Sequence, residues 1–579
     1  MNRPWSMVLS ALILSFASLG GPAVSAEVDP SPGSEAPQDA PQGEDVSWAL
    51  KDPEADGIEG TRTDRAYAEL MLTPPEQPIL VAVIDSGVDI AHPDLAEVIW
   101  TNPRERDGSA GVDDDGNGFV DDVHGWNFIG SRDGATQLVA ARMEVTRELA
   151  RLRRLVVGGE PQPDHQQRLQ DMTAAFERIR DEHSQQLSMS LVRVTMAEQL
   201  LEKLVEHGLA DATPAGVMAF ETEVPSARML KQLFLQVVEE GTPLQDMRST
   251  LAHEISSLDT QFSLGFDEST IVGDDPALLD ERGYGNPQVM VRENAFHGTH
   301  VSGIIGGVRG NGRGVAGHCA WVRLMVLRVV PNGDERDKDV ANAVRYAVDN
   351  GAQIINMSFG KPYSPDKAYV DAAFRHAAEK GVLIVHGSGN SGKDNDEDSS
   401  YPNRRVLGED GAVVEEFPNW IEVGASTDAK DRHLAASFSN YGQTTVDLFA
   451  PGVDIVSTVP GGTVNPASGT SMAAPVVTGV AALVWSQYPT LTAVELKLAL
   501  LANARRYPGH LVTRPGSKER VPFESLSVSG GIIDAYATLL ALSVPNEPRS
   551  ESPTVPADTP ASAPVEPAKP MRPVPPAIP

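Results

Sequence analysis

The sequence predicts an α/β protein with a doubly wound, mostly parallel sheet that an all-helical insertion interrupts. Three observations predict it. Short apolar runs bounded by Gly, Asp or Asn recur from Ile79 onward, helical patterns lie between them, and from Thr136 to Gly265 the pattern changes to long amphipathic stretches.

The apolar runs cover 79–84, 322–330, 354–357, 382–385, 421–423 and 446–449. Runs this short and this continuous suit strands buried on both faces, as in parallel sheets. Helical patterns at 339–350, 367–380, 471–487 and 493–504 alternate with them. That alternation makes crossover units, and it directs attention to the carboxyl ends of the strands, where such sheets bind ligands.

In the 136–265 stretch, Val145, Leu149, Leu152 and Val156 recur at helical spacing, as do Leu169, Met172, Phe176 and Ile179, then Leu244, Met247, Leu251, Ile255 and Leu258. These are helix faces that need partners. Thr242-Pro243 suits a helix start, and Gly158-Gly159 and Gly208 suit helix stops.

Arg3, the apolar stretch 7–19 and the small residues Ala23-Val24-Ser25-Ala26 read as a signal peptide over 1–26, implying export to a periplasm or the extracellular space. No stretch reaches the roughly 20 apolar residues of a transmembrane helix. A leader is expected over 27–78, loose and Pro-rich to about Val46, then the body over 79–543 and a Pro-rich tail over 544–579. A formal charge of −33 argues against non-specific nucleic-acid binding. The single cysteine, Cys319, excludes an intrachain disulfide, and beside the apolar run 322–330 it reads as a buried thiol.

Three motifs carry chemistry. Val83-Ile84-Asp85-Ser86-Gly87 places a carboxylate at the end of the first buried run; alone, Asp85 serves equally well as a turn or helix-capping residue. His297-Gly298-Thr299-His300 opens a small-residue helix, with His297 at its exposed start as a general base whose tautomer an Asp could hold, and His300 packed inward. Gly469-Thr470-Ser471-Met472-Ala473-Ala474-Pro475 turns the chain and opens a helix at Ser471, placing backbone N–H groups and the positive dipole end beside this nucleophile.

Together these motifs, in the order Asp, His, Ser, resemble the subtilisin family over about 79–130 and 294–504. The resemblance implies a serine endopeptidase with protein or peptide substrates and no catalytic cofactor; its alternative is a catalytically silent binding or surface protein on the same scaffold. It implies Asn390, in Gly387-Ser388-Gly389-Asn390-Ser391-Gly392, as a side-chain oxyanion donor, and Ser358-Phe359-Gly360 as an edge that pairs with extended substrate and walls the pocket for the residue before the cut. Uncharged Ser391 favours an apolar or broad pocket.

Asp113-Asp114-Asp115-Gly116-Asn117-Gly118-Phe119-Val120-Asp121-Asp122 resembles the start of a Ca²⁺ loop, with Asp113, Asp115, Asn117, Phe119 through its carbonyl, and Asp121 as ligands; His124 stands where an EF-hand loop has Glu. The resemblance departs from compact relatives in the length between Asp85 and His297. The helical insertion fills that length, and gating of the site, docking of a partner and an inert addition all stay open for it.

Overall fold

The computed structural model describes residues 47–158, 163–238, 244–398, 400–408 and 411–544. The expected signal segment, residues 27–46 of the leader, the pair Thr242-Pro243 and the chain beyond Val544 lie outside the described residues.

Nine strands build the central sheet: β1 (Ile79–Asp85), β2 (Gly125–Asn127), β3 (Val322–Arg328), β4 (Ile354–Met357), β5 (Leu383–Gly387), β6 (Trp420–Ser426), β7 (Leu448–Pro451), β8 (Arg505–Arg506) and β9 (Gly531–Ile532). Their spatial order is β8-β9-β7-β6-β5-β4-β1-β3-β2. All neighbours pair in parallel except β8 and β9 at one edge. The register of β1 on β3 runs from Ile79 opposite Val322 to Asp85 opposite Arg328, so Asp85 ends its strand at the carboxyl edge.

The longer helices are α1 (Thr63–Glu69), α2 (Glu144–Val157), α3 (Pro163–Glu206), α4 (Pro225–Val237), α5 (Leu244–Gln261), α6 (Phe296–Gly306), α7 (Asp337–Asp349), α8 (Lys367–Glu379), α9 (Thr470–Gln487), α10 (Ala493–Ala502) and α11 (Ala535–Ser543). Successive strand residues point to opposite faces. Val81, Val83, Leu324 and Val326 therefore pack under α1, α6, α9, α10 and α11, while Ala82, Ile84, Met325 and Leu327 pack under α7 and α8. The sheet is doubly wound. Burial of each such Val, Ile or Leu contributes roughly 1.5–3 kcal/mol, and α9, apolar on nearly all sides, is buried from Met472 to Ser486.

Helices α2 to α5 make a subdomain of their own. Val145 and Leu149 of α2 meet Phe176 and Ile179 of α3. Further along, Leu187 and Val194 meet Leu251 of α5, and Ala197 to Leu204 meet Phe234 of α4. At 44 residues α3 is ~66 Å long. The ends of the subdomain are not free to drift: Gln261 O accepts from Met143 N (3.0 Å) and Thr146 Oγ1 (2.8 Å), and Arg142 pairs with Glu268 at 2.6 Å. The subdomain thus leaves and rejoins the body at one clasp.

Residues 47–72 fall inside the leader of the sequence reading, yet they pack on the body. Ala49 and Ala66 join the main core, Trp48 Nε1 donates to Val453 O (2.9 Å) and Arg62 Nε donates to Asp534 (2.7 Å). Few apolar residues, spaced without a period, hold this segment, which is why no pattern announces it.

Candidate active site

Three chain segments converge at the carboxyl edge of β1, β4 and β5. Asp85 is buried at the end of β1, and its Oδ1 lies 2.7 Å from His297 Nδ1 and accepts from Ser86 N at 2.7 Å. His297 opens α6 with 36% of its side chain exposed and one ring nitrogen on the carboxylate. Burial alone would lower the pKa of His297, but the charge and hydrogen bond of Asp85 outweigh it and leave the value raised. The close fit rests on Gly298: a Cβ there would meet Gly87 O at 2.3 Å. His300, one turn further, is fully buried, its Nε2 2.9 Å from Asn465 O and its pKa lowered to about 4 by burial.

Ser471 lies in the first turn of α9. Its Oγ donates to Ser358 O (3.0 Å) while Ser358 Oγ donates back to Ser471 O (3.0 Å), so the hydroxyl rests on the edge segment 358–360. Asn390 follows β5 across a turn in which Gly389 has φ +106° and a Cβ would meet Asn440 at 2.5 Å. The Asn390 Oδ1 accepts from Thr470 N (2.8 Å) and Thr470 Oγ1 (2.9 Å), which turns its Nδ2 donor group away from Thr470. Ser358, Phe359, Gly360, Asn390, Ser391 and Ser471 line one cavity of about 560 Å³.

Several residues that hold this site escaped the sequence reading. His386 of β5 sits opposite Glu422 of β6. Its Nδ1 faces Glu422 Oε1 (3.0 Å) and its Nε2 faces Phe359 O (2.8 Å), two acceptors that together demand an imidazolium. Burial opposes that charge, and Glu422 outweighs burial to raise the pKa. Arg328, fully buried, donates to Ser86 O, Asn127 Oδ1, Leu138 O and Asn294 Oδ1 at 2.7–3.0 Å, tying the Asp85 turn to the approach to α6. The available signal was a charge inside an apolar run: Glu422 between Ile421 and Val423, Arg328 within 322–330.

In the acidic loop, Asp113 turns its carboxylate onto the N–H groups of Gly116, Asn117 and Gly118, and Asp121 accepts from Gly111 N. Asn117 accepts from Phe119 N. Of the five ligands expected there, Asp115 is brought to Glu105 and Asp122, with one oxygen of each within 4.8 Å of the others. Burial pushes Asp122 up to about 6, although hydrogen bonds from Tyr346, Asn117 and Asn102 oppose it. An all-oxygen, triply acidic set fits a hard cation such as Ca²⁺, which would relieve that crowding. Cys319 is buried, and burial pushes its thiol up to about 12.

A doubly wound sheet that carries an Asp–His pair and a helix-opening Ser at its carboxyl edge, in that chain order, defines an α/β protein of the Asp–His–Ser class. Within that class the chain belongs to the subtilase family, whose model matches residues 76–521. It is 39% identical over 215 residues to the thermophilic serine proteinase of Bacillus sp. (strain AK1), covering 37% of this chain and 48% of that protein. It is 37% identical over 223 residues to the M-protease of Shouchella clausii (strain KSM-K16), covering 37% and 53%. The chain thus spans about half the length of these relatives. A solved structure described as a cold adapted subtilisin-like serine proteinase is 30% identical, with a TM-score of 0.32, and the match covers 40% of this chain and 74% of that one. Among the described residues, no helix is long and apolar enough to cross a membrane.

Proposed function

We propose that the chain is an exported serine endopeptidase that cleaves extended segments of proteins or peptides. The observation that carries this reading is the Asp85–His297 pair at 2.7 Å, at the same carboxyl edge of the sheet as a cavity lined by Ser471 and Asn390. His297 takes the proton of Ser471 Oγ as that oxygen attacks the scissile carbonyl, and Asp85 holds the ring and steadies the imidazolium. Rotation about the Ser471 Cα–Cβ bond moves the hydroxyl from Ser358 O toward His297 for this step. Asn390 Nδ2 and the backbone N–H of Ser471 receive the developing oxyanion. His297 gives that proton to the leaving amine as the C–N bond breaks, then takes a proton from the water that attacks the acyl-enzyme and returns it to Ser471 Oγ as the new carboxyl end departs.

Ca²⁺ is proposed as a structural ion held by Glu105, Asp115 and Asp122; the other residues of the acidic loop shape it through backbone bonds. Export rests on the N-terminal segment with Arg3, the apolar residues 7–19 and the small residues 23–26. One observation favours a catalytically silent scaffold: the Ser471 hydroxyl bonds to Ser358 O.

Fluorophosphonate labelling and casein hydrolysis by wild type and Ser471→Ala separate the two readings. The peptidase reading expects both signals in wild type and neither in Ser471→Ala. A folded wild type that takes no label and leaves casein intact establishes the silent scaffold.

A further inference from the structure

The cavity beside Ser471 has a second wall, contributed by the helical subdomain. Opposite the 358–360 edge, α3 presents Arg178, Glu182 and Gln186, with Ile179 and His183 beside them. Arg178, Glu182 and Gln186 follow one another at intervals of four, so they occupy one helix face, and all three are exposed. Arg178 and Glu182 form an ion pair at 3.1 Å with 60% and 54% of their side chains exposed.

This wall is fixed to the edge it faces. Lys361, directly after Gly360, is buried and bonds Glu144 of α2 (2.8 Å) as well as Asp337 of α7 (2.7 Å). Tyr363, two residues further, packs against the cluster of Val145, Leu149, Phe176 and Ile179 that joins α2 to α3. Met143, at the start of the insertion, also lines the cavity. The substrate edge and the helical wall are therefore parts of one rigid arrangement.

We propose that α3 forms a substrate subsite on the amino side of the scissile bond, whose charge preference the Arg178–Glu182 pair keeps balanced. The inference rests on the peptidase reading. A peptide paired along 358–360 runs between two walls, so its side chains on the far side meet the α3 face. In wild type the two charges satisfy each other, and the subsite favours neither sign. Removal of one leaves the other uncompensated. Arg178→Ala exposes the Glu182 carboxylate to substrate cations, and Glu182→Ala exposes the Arg178 guanidinium to substrate anions.

The test is cleavage of a randomised peptide mixture by wild type, Arg178→Ala and Glu182→Ala, read by mass spectrometry, with fluorophosphonate labelling rates measured in parallel. The expected result is a shift toward Lys and Arg on the amino side of the cut for Arg178→Ala, and toward Asp and Glu for Glu182→Ala. Each shift should be about 5-fold, near the upper end for an exposed charge pair, with preferences on the carboxyl side unchanged. Identical profiles in all three proteins at wild-type labelling overturn the subsite while leaving the peptidase standing. Absence of labelling in wild type overturns the peptidase reading and the subsite with it.

Discussion

His297 is a base only as the neutral ring, and its carboxylate partner stabilises the charged one. The raised pKa therefore places the acidic limb of kcat/KM above the ordinary histidine value of 6.5, with activity present above that limb and lost as pH falls through it. A pH–rate profile whose acidic limb lies at or below 6.5 would contradict this. In the proposed mechanism Asn390→Ala removes one donor to the oxyanion, and it should lower kcat about 10²–10³-fold with little change in KM; loss confined to KM would make Asn390 a substrate contact. Asp85, His297, Ser471 and Asn390 were legible because each sits in a short contiguous motif at a strand or helix end. His386, Arg328 and Glu105 were not, because their roles are set by partners far away in sequence, such as Phe359 O at 27 positions from His386 and Ser86 O at 242 from Arg328. A buried charge in an apolar run reveals that a partner exists without saying where.

At the scale of elements, the strands were readable because a strand buried on both faces has one simple signature. The run 79–84 becomes Ile79–Asp85, and 354–357 becomes Ile354–Met357. The short strands β2, β8 and β9 at the two ends of the sheet are two or three residues long and rest on backbone pairing, so they leave no apolar run. Helix α3 shows another limit. Its apolar stripe turns from α2 to α5 and then to α4 along its length, so no single periodic window reveals one helix. The clasp at the insertion base carries its own prediction. Arg142 and Glu268 are 8% and 3% exposed, and Arg142→Ala would leave Glu268 with only Arg147 at 3.6 Å as a charged partner. The expected cost is about 3 kcal/mol, the lower end for breaking a buried pair, read as a lower urea midpoint. An unchanged midpoint would mean that the clasp does not hold the insertion to the body.

For the whole molecule, the dominant electrostatic fact is a formal charge of −33 without a disulfide to oppose self-repulsion. Internal ties offset part of this. Arg62 reaches Asp534, and Ala535 N donates to Thr61 O, so the N-terminal segment closes against α11. The acidic loop is a different case, because Glu105, Asp115 and Asp122 crowd like charges in a partly buried place. General screening by salt would help every exposed carboxylate alike, whereas a bound ion acts only where oxygens converge. Ca²⁺ at about 100 times its dissociation constant should therefore stabilise the fold by ~2.7 kcal/mol, or about 3 °C in Tm for a body of this size. NaCl at matched ionic strength should not reproduce that rise, and Asp115→Asn with Asp122→Asn should abolish it. Equal effects of NaCl and Ca²⁺, or an undiminished Ca²⁺ effect in the double variant, would reassign the stabilisation to screening or to another site. In that event the acidic loop would be a hydrogen-bonded turn whose carboxylates serve its own backbone, as those of Asp113 and Asp121 already do.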